Sequence, residues 1–403
     1  MDAIGIVRDS QCRIDDYRIV QAIIRAGAEP REIISEELVL STDREAIRSS
    51  IGEVGVVLAR LQSGRMRYFL TRVAETSGYR VINTSSVQAY SRDKFLTYLV
   101  MTSSGVPSPT ASFPLYVQQI LGGSKKGVRR ELFKRLAESA GRIVGGIPCV
   151  EKPIDGSHGR GVRMLRTERE VRESMGARST MDPTMLQPFY DSPFEIRAVS
   201  IKYPGSEPEH LASIVKCATE RGQTVRNLAV TGVPALVKRH KLIEKLEIAA
   251  LKVLAPEHLD YLITGDDWTP ARVPESEGER VRRCAKKLLP QFQQLKTSRE
   301  KLTKLYRKLH RSLSSGTTER QLEEAESAHE KVALKFLKAG EHEEIESIVS
   351  SWLDSSPELL LLDVNDNQDF PNVRDLTQRR VEDDYAKIAL AVSSLTSTRC
   401  RGK

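Results

Sequence analysis

No stretch of this sequence approaches the ~20 consecutive apolar residues that a membrane-crossing helix needs. The beginning, MDAIGIVRDSQCRIDDYRIV, mixes acids and bases from the start and has no signal-peptide pattern, so a cytoplasmic location is expected. Cysteine is scarce. The five, Cys12, Cys149, Cys217, Cys284 and Cys400, are odd in number, widely spaced and free of C-x-x-C, which argues against a disulfide framework and a thiolate zinc site. Seven histidines form no H-x-x-x-H pair, so a histidine-based metal site is not expected. Aromatic residues make up only 5%, too few to interleave with the basic charge as a nucleic-acid platform does, and nucleic acid is not an expected partner.

What is present suits a soluble chain of 403 residues with two or three cores: 39% hydrophobic and 29% charged residues. Net charge is +8 with a pI near 9.1, which favours acidic partners such as nucleotides, polyglutamate tails or acidic proteins. Short apolar runs AIGIV, VGVVLAR and YRVINT alternate with the helical patterns DDYRIVQAIIRAGA and RMRYFLTRVAETSG, giving a small parallel-sheet unit over about the first 85 residues. A new unit opens with the amphipathic SRDKFLTYLVMTSSG. Further on, MLQPFYDSPFEIRAVSI and HLASIVKCA read as paired strands, and PELLLLDVNDNQDFPN as a strand entering an acid- and amide-rich loop.

The segment EKPIDGSHGRGV, residues 151–162, combines unusual features. The apolar run Ile143 to Val150 before it reads as a buried strand ending in Glu151 and Lys152. Gly156, Gly159 and Gly161 then bare the backbone, so that several N–H groups can converge on one anion. The order G-x-x-x-x-G-K-[ST] is absent, which excludes a Walker loop.

From Gly265 to Glu279 the composition reads as a polar linker, followed by a long helix with Leu288, Phe292, Leu295, Leu302, Tyr306, Leu309 and Leu313 on one seam that Arg299 interrupts. A second helix carries Leu322, Ala325, Val332 and Phe336, so an antiparallel hairpin is expected, its first arm basic and its second acidic. Mutual neutralisation of the arms is the simpler account of that charge. The alternative is that Arg282, Arg283, Lys286 and Lys287 meet an acidic partner.

In order, GIVRD, VLARLQSGRMRYFL, VINTSSVQAYSRDKFLTYLVMTSSGVPSPT, EKPIDGSHGRGV, LQPFYDSPFEIRAV, RNLAVTG and LLDVNDNQDFPN resemble the ATP-grasp carboxylate–amine ligases, in the branch of ribosomal-protein glutamate ligases and amino-group-carrier-protein ligases. The resemblance spans most of the chain outside about residues 265–345. It implies an α/β (α+β) fold: an N-terminal Rossmann-like domain over 1–88, a lid over 89–186, a C-terminal ATP-grasp subdomain over 187–264 and 346–403, and a helical hairpin inserted at 265–345.

The resemblance also implies roles. Lys94 and Lys152 match phosphate-contacting lysines, and Gly156, Ser157, Gly159 and Gly161 the loop over the triphosphate. Gln187 to Tyr190, with Phe189, match the adenine hinge, although Pro188 removes one N–H donor there. Arg197, in EIR, matches an arginine suited to a carboxylate or acyl phosphate. Lys216 stands where relatives often carry arginine, and Asn227 matches a family amide. Asp363 and Asn365 match the second half of a Mg2+ site, with aspartate in place of glutamate. For its first acid, Asp354, Asp260 and Asp266 are the candidates, with its absence as the alternative. The implied cofactors are ATP and Mg2+, with Mn2+ as a substitute. The implied reaction activates a carboxylate as an acyl phosphate and joins it to an amine, adding an amino acid such as glutamate to a protein, peptide or carrier carboxylate, with a homo-oligomer as the expected assembly. A ligase for a small-molecule carboxylate and a nucleotide-binding scaffold without turnover are the alternatives.

Overall fold

The computed structural model describes residues 3–11, 13–112, 126–156, 159–177, 183–223, 231–311, 316–355, 357–365 and 371–395. The first unit alternates β1 (Ile4–Arg8), α1 (Ile14–Arg25), β2 (Pro30–Ile34), α2 (Arg44–Ile51), β3 (Val56–Arg60), α3 (Gly64–Thr76) and β4 (Val81–Ile82). Its parallel sheet has the order β2-β1-β3-β4. Every residue of β1 and β3 is buried, as crossover helices on both faces require, and this is why both read as unbroken apolar runs. The edge strand β2 buries only Ile33 and carries no comparable signal.

After α4 (Ser85–Arg92) and α5 (Lys94–Ser103), the second unit contains α6 (Lys126–Ile143), β5 (Cys149–Pro153), β6 (Arg163–Leu165), α7 (Glu168–Ala177) and β7 (Thr184–Pro188). Its antiparallel sheet has β5 in the middle. The strand expected from Ile143 starts only at Cys149. Ile143 ends α6, and Gly145 and Gly146, at φ +79° and +103°, turn the chain before it can extend.

The third unit is a five-stranded antiparallel sheet of order β10-β9-β8-β11-β12, built from β8 (Phe194–Lys202), β9 (Glu209–Cys217), β10 (Val233–Leu236), β11 (Leu262–Pro270) and β12 (Leu359–Asp363), with α8 (Lys241–Leu254) against it. The polar linker expected from Gly265 is, up to Pro270, part of the buried strand β11. Its charges are tolerated there because Asp267 is ion-paired to Arg197 and Lys216. Asp266 lies on the opposite face, near Glu247 of α8, where burial pushes its carboxyl well up and so favours the neutral form.

Between the neighbouring strands β11 and β12 the chain makes a helical excursion: α9 (Glu275–Arg311), α10 (Gly316–Leu337) and α11 (Glu341–Asp354). Leu288, Phe292, Leu295, Leu302 and Tyr306 are buried along α9, and Phe292 meets Phe336 of α10 at 6.0 Å between ring centroids. The side chains of Leu309 and Leu313 lie outside the described residues. The basic base of α9 meets acids of its own helix and of α11: Arg282 bonds Glu279, Glu344 lies near Arg280 and Arg283, and Glu341 near Lys287.

Two helices close the described residues, α12 (Pro371–Thr377) and α13 (Val381–Ser394). The latter returns to the first unit, where Tyr385 meets Arg60 at 3.3 Å and Val392 O accepts from Arg80 at 3.0 Å.

On the α8 face, Glu247 accepts hydrogen bonds from Ser200 and from the Trp268 indole, and burial pushes its carboxyl up to about 8. His210, 1% exposed between Ser200 and Ser213, is pushed down to about 4 by burial. The unfolded chain takes up this proton near pH 6.5 and the folded chain only near 4, so stability falls as pH drops through that interval. The substitution His210→Gln is expected to reduce the stability lost between pH 7 and 4.5 by at most about 2 kcal/mol, read from urea midpoints at the two pH values.

Candidate active site

The third sheet arranges charge by register. Along β8, Glu195 and Arg197 share one face because side chains alternate with period two. Glu195 stands opposite Lys216 of β9, Arg197 opposite Asp267 of β11, and Asp267 opposite Asp363 of β12. Acid and base therefore alternate across four strands until two carboxylates meet. Arg197 grips Asp267 with both arms of its guanidinium, Nε to Oδ1 at 2.8 Å and Nη2 to Oδ2 at 2.7 Å. Lys216 Nζ lies 2.9 Å from the same carboxylate and 2.8 Å from Glu195. Burial alone would raise the Asp267 carboxyl, but the two cations hold it well below the usual range.

None of the three acids considered from sequence stands opposite Asp363. Asp260 accepts from Glu257 N in an exposed turn, Asp354 pairs with His240, and Asp266 occupies the other face of β11. Asp267 holds that place. It was hidden because three helices, α9 to α11, separate the two strands in sequence.

The pairing of β11 and β12 slips by one residue at Asp267/Trp268, which brings Asp363 opposite Asp267 and leaves Leu362 without a register partner. The freed Leu362 carbonyl lies 2.8 Å from the Tyr98 hydroxyl and 3.4 Å from Lys152 Nζ. Tyr98 accepts from Lys152 Nζ at 2.7 Å and lies 3.0 Å from Gln187 Oε1, so α5, β5, β7 and β12 meet at one phenol. Tyr98 was not among the expected residues. Its signal was its place four residues after Lys94, on the same face of α5.

Lys152 is 6% exposed, and burial pushes its ammonium down to about 8 against the opposing pull of Asp363. Lys94, at the start of α5 after the Asp93 cap, donates to Gly156 O at 2.7 Å. Lys94 and Lys152 lie 3.6 and 3.7 Å from Asp363 Oδ1. Four cations, Lys94, Lys152, Arg197 and Lys216, thus gather with three carboxylates, Glu195, Asp267 and Asp363.

The glycine loop folds back on Pro153. Gly161 has φ +73°, and a Cβ there would lie 2.8 Å from Pro153 Cγ, so glycine is required on two counts. Gly159 also has positive φ, +70°, whereas a Cβ at Gly156 would press on Pro153 at 3.3 Å. Gln187 is buried at the end of β7 and Phe189 half-buried beyond it. Ser157 and Asn227 lie outside the described residues.

A divalent cation fits the β11/β12 end. Asp363 Oδ1 is a buried oxygen that accepts no hydrogen bond, and Asp267 faces it in register. Asn365 is fixed by two bonds to Gly265, N–H to its own carbonyl and its side-chain amide to Gly265 O, both 3.0 Å. These are hard oxygen donors of the kind Mg2+ takes.

Near this cluster lies an open groove of about 650 Å3 at the base of α9, where Arg221, Arg282, Arg283, Lys286 and Lys287 face Glu220 and Glu279. Its wall at Thr219 is three residues beyond Lys216, at most ~11 Å of extended chain. Arg282, 6% exposed, bonds Glu279 at 2.8 Å and lies 3.4 Å from Asp191, four residues past Gln187.

No family model matches the chain. The glutamate–LysW ligase ArgX of Sulfurisphaera tokodaii is 21% identical over 255 residues, 62% of this chain and 81% of that protein. The structure of the ATP-grasp ligase PsnB complexed with minimal precursor is similar at a TM-score of 0.52 and 11% identity, covering 97% of this chain and 100% of that one. PsnB with minimal precursor, Mg and ADP gives 0.51 and 11%, covering 97% of each. The three-sheet architecture, the charged strand ends and these likenesses together give the chain the ATP-grasp fold and make it similar to the ATP-grasp ligases.

Proposed function

We propose that this protein is an ATP-dependent carboxylate–amine ligase, releasing ADP, that joins an amino acid such as glutamate to a carboxylate of an acidic peptide or carrier protein. The observation that carries the reading is the convergence of Lys94, Lys152, Arg197 and Lys216 on the paired acids Asp267 and Asp363. The cationic surplus suits a triphosphate, and the facing acids suit the metal that accompanies it.

In this reading Lys94 and Lys152 hold the phosphates under the glycine loop, while Gln187 and Phe189 border the adenine. Mg2+, held by Asp267, Asp363 and Asn365, supplies charge neutralisation at the transferring phosphoryl group. Arg197 and Lys216 exchange Asp267 for the substrate carboxylate and steady the acyl phosphate made from it. The amine then attacks the acyl carbon, forming the amide and expelling phosphate. No side chain need become a covalent nucleophile; the work is positioning and charge stabilisation. Asn227 is assigned to this step from the sequence resemblance.

The basic groove supports an acidic acceptor. Arg221 and Arg282 are paired with Glu275 and Glu279, both at 2.8 Å, but Lys287 lies 3.8 Å from Glu341 and Arg283 3.9 Å from Glu344, and these two weak exposed pairs leave charge for a partner.

Three measurements test the reading. Purified protein with ATP and Mg2+ is expected to release ADP when pools of amino acids and acidic peptides include its substrates, and Lys152→Ala to slow that release about 100-fold or more. Release that is independent of substrate, or unaffected by the substitution, refutes it. Asp267→Asn is expected to lower turnover about 100-fold, whereas Asp266→Asn, a neutral amide for a carboxyl that burial pushes up, stays within about tenfold of wild type. Arg283→Glu, Lys286→Glu and Lys287→Glu together are expected to raise KM for an acidic peptide about tenfold and to leave KM for ATP unchanged. An unchanged peptide KM would favour a small-molecule carboxylate.

A further inference from the structure

Arg299 occupies a seam position of α9 that apolar residues fill on either side, with Leu295 and Leu302 fully buried. Its guanidinium reaches out of the hairpin to α12, where Nη2 donates to Asp375 Oδ2 at 2.6 Å and Nη1 to Asn372 Oδ1 at 3.2 Å. The other Asp375 oxygen lies 3.3 Å from His329 Nε2 of α10, and His329 Nδ1 is 2.7 Å from Ser298 Oγ on α9. Asp375 and His329 are 5% and 3% exposed. Both arms of the hairpin thus hold one buried carboxylate on a seven-residue helix.

A merely apolar hairpin would not need this. A buried ion pair costs desolvation that an apolar trio would avoid, and the best-attested reward for such a cost is a fixed register. The register fixed here is that of α12. This helix starts six residues after Asn365, and its Val373 and Leu376 are buried in the main core, 1% and 2% exposed.

We propose that Arg299 and His329 are positioning residues for the segment that carries Asp363 and Asn365: by clasping Asp375 they fix α12, and α12 fixes the approach of those two ligands to the cation. The proposal rests on the ligase reading of Asp363 and Asn365, and it makes the hairpin a working part of the site. Loosening the hold of either residue on Asp375 then changes cation and nucleotide affinity.

Isothermal titration calorimetry provides the readout, following Mg2+-dependent ADP binding without turnover. Arg299→Met and His329→Leu are each expected to raise the apparent Kd for ADP with Mg2+ about tenfold, the size typical when a ligand loses its supporting contact. Arg299→Lys, which keeps charge toward Asp375 and loses the fork, should fall between them and wild type. The comparison is Leu322→Ala, which weakens the hairpin where it packs on α1, in an apolar cluster that includes no residue of α12; its Kd should stay within about twofold whatever its melting temperature. Should either variant fail to fold, Asp375→Asn takes its place with the same expectation. Variant affinities equal to wild type, or an equal loss in Leu322→Ala, overturn the positioning role while leaving the ligase reading intact. Wild-type protein with no Mg2+-dependent ADP binding overturns both.

Discussion

The site depends on one salt bridge between neighbouring strands, the two-armed contact of Arg197 with Asp267. In an apolar sheet either partner alone would be an uncompensated buried charge, costing several kcal/mol. Together they let an acid reach the middle of a buried face, and the one-residue slip beside it brings a second acid into register. That slip also frees the Leu362 carbonyl, which ties Tyr98 and Lys152 to the same point. Helix α5 and the second and third units are therefore joined through a defect in strand pairing. An unbroken ladder would have consumed that carbonyl within the sheet.

A consequence for electrostatics is that Asp267 is committed twice. It neutralises Arg197 and Lys216 in the structure seen here, and in the ligase reading it would face a metal. An anion arriving at the two cations and a cation arriving at the two acids relieve each other, because each takes the partner the other gives up. Binding of the two is then mutually favourable by linkage, with no movement of the sheet required.

The sequence made the parallel-sheet unit legible because β1 and β3, buried on both sides, must be apolar throughout. It exposed the glycine loop for a similar reason, since Gly161 tolerates no side chain against Pro153. The seam of α9 and the exception at Arg299 were visible as periodicity and its interruption. Asp267 was not, because neighbouring strands β11 and β12 are separated by the helical excursion, and adjacency across a sheet leaves no trace in local spacing. The acidic, proline-flanked GDDWTP looked like linker for the same reason: the cations that make its burial tolerable come from β8 and β9. Edge strand β2 escaped notice because a half-exposed edge need not be patterned.

Helix α13 lies far from β1 and β3 in sequence yet packs on their unit, with Tyr385, Ile388 and Val392 buried to 2% or less and Asp383 paired with Arg25. During synthesis the first unit emerges long before this cover. Its apolar flank must wait, open to water and to other chains, until more than three hundred further residues have been made. The last helix thus acts as a late fastener: the first unit can collapse early, but it is sealed only when the intervening sheets and the hairpin have already been translated.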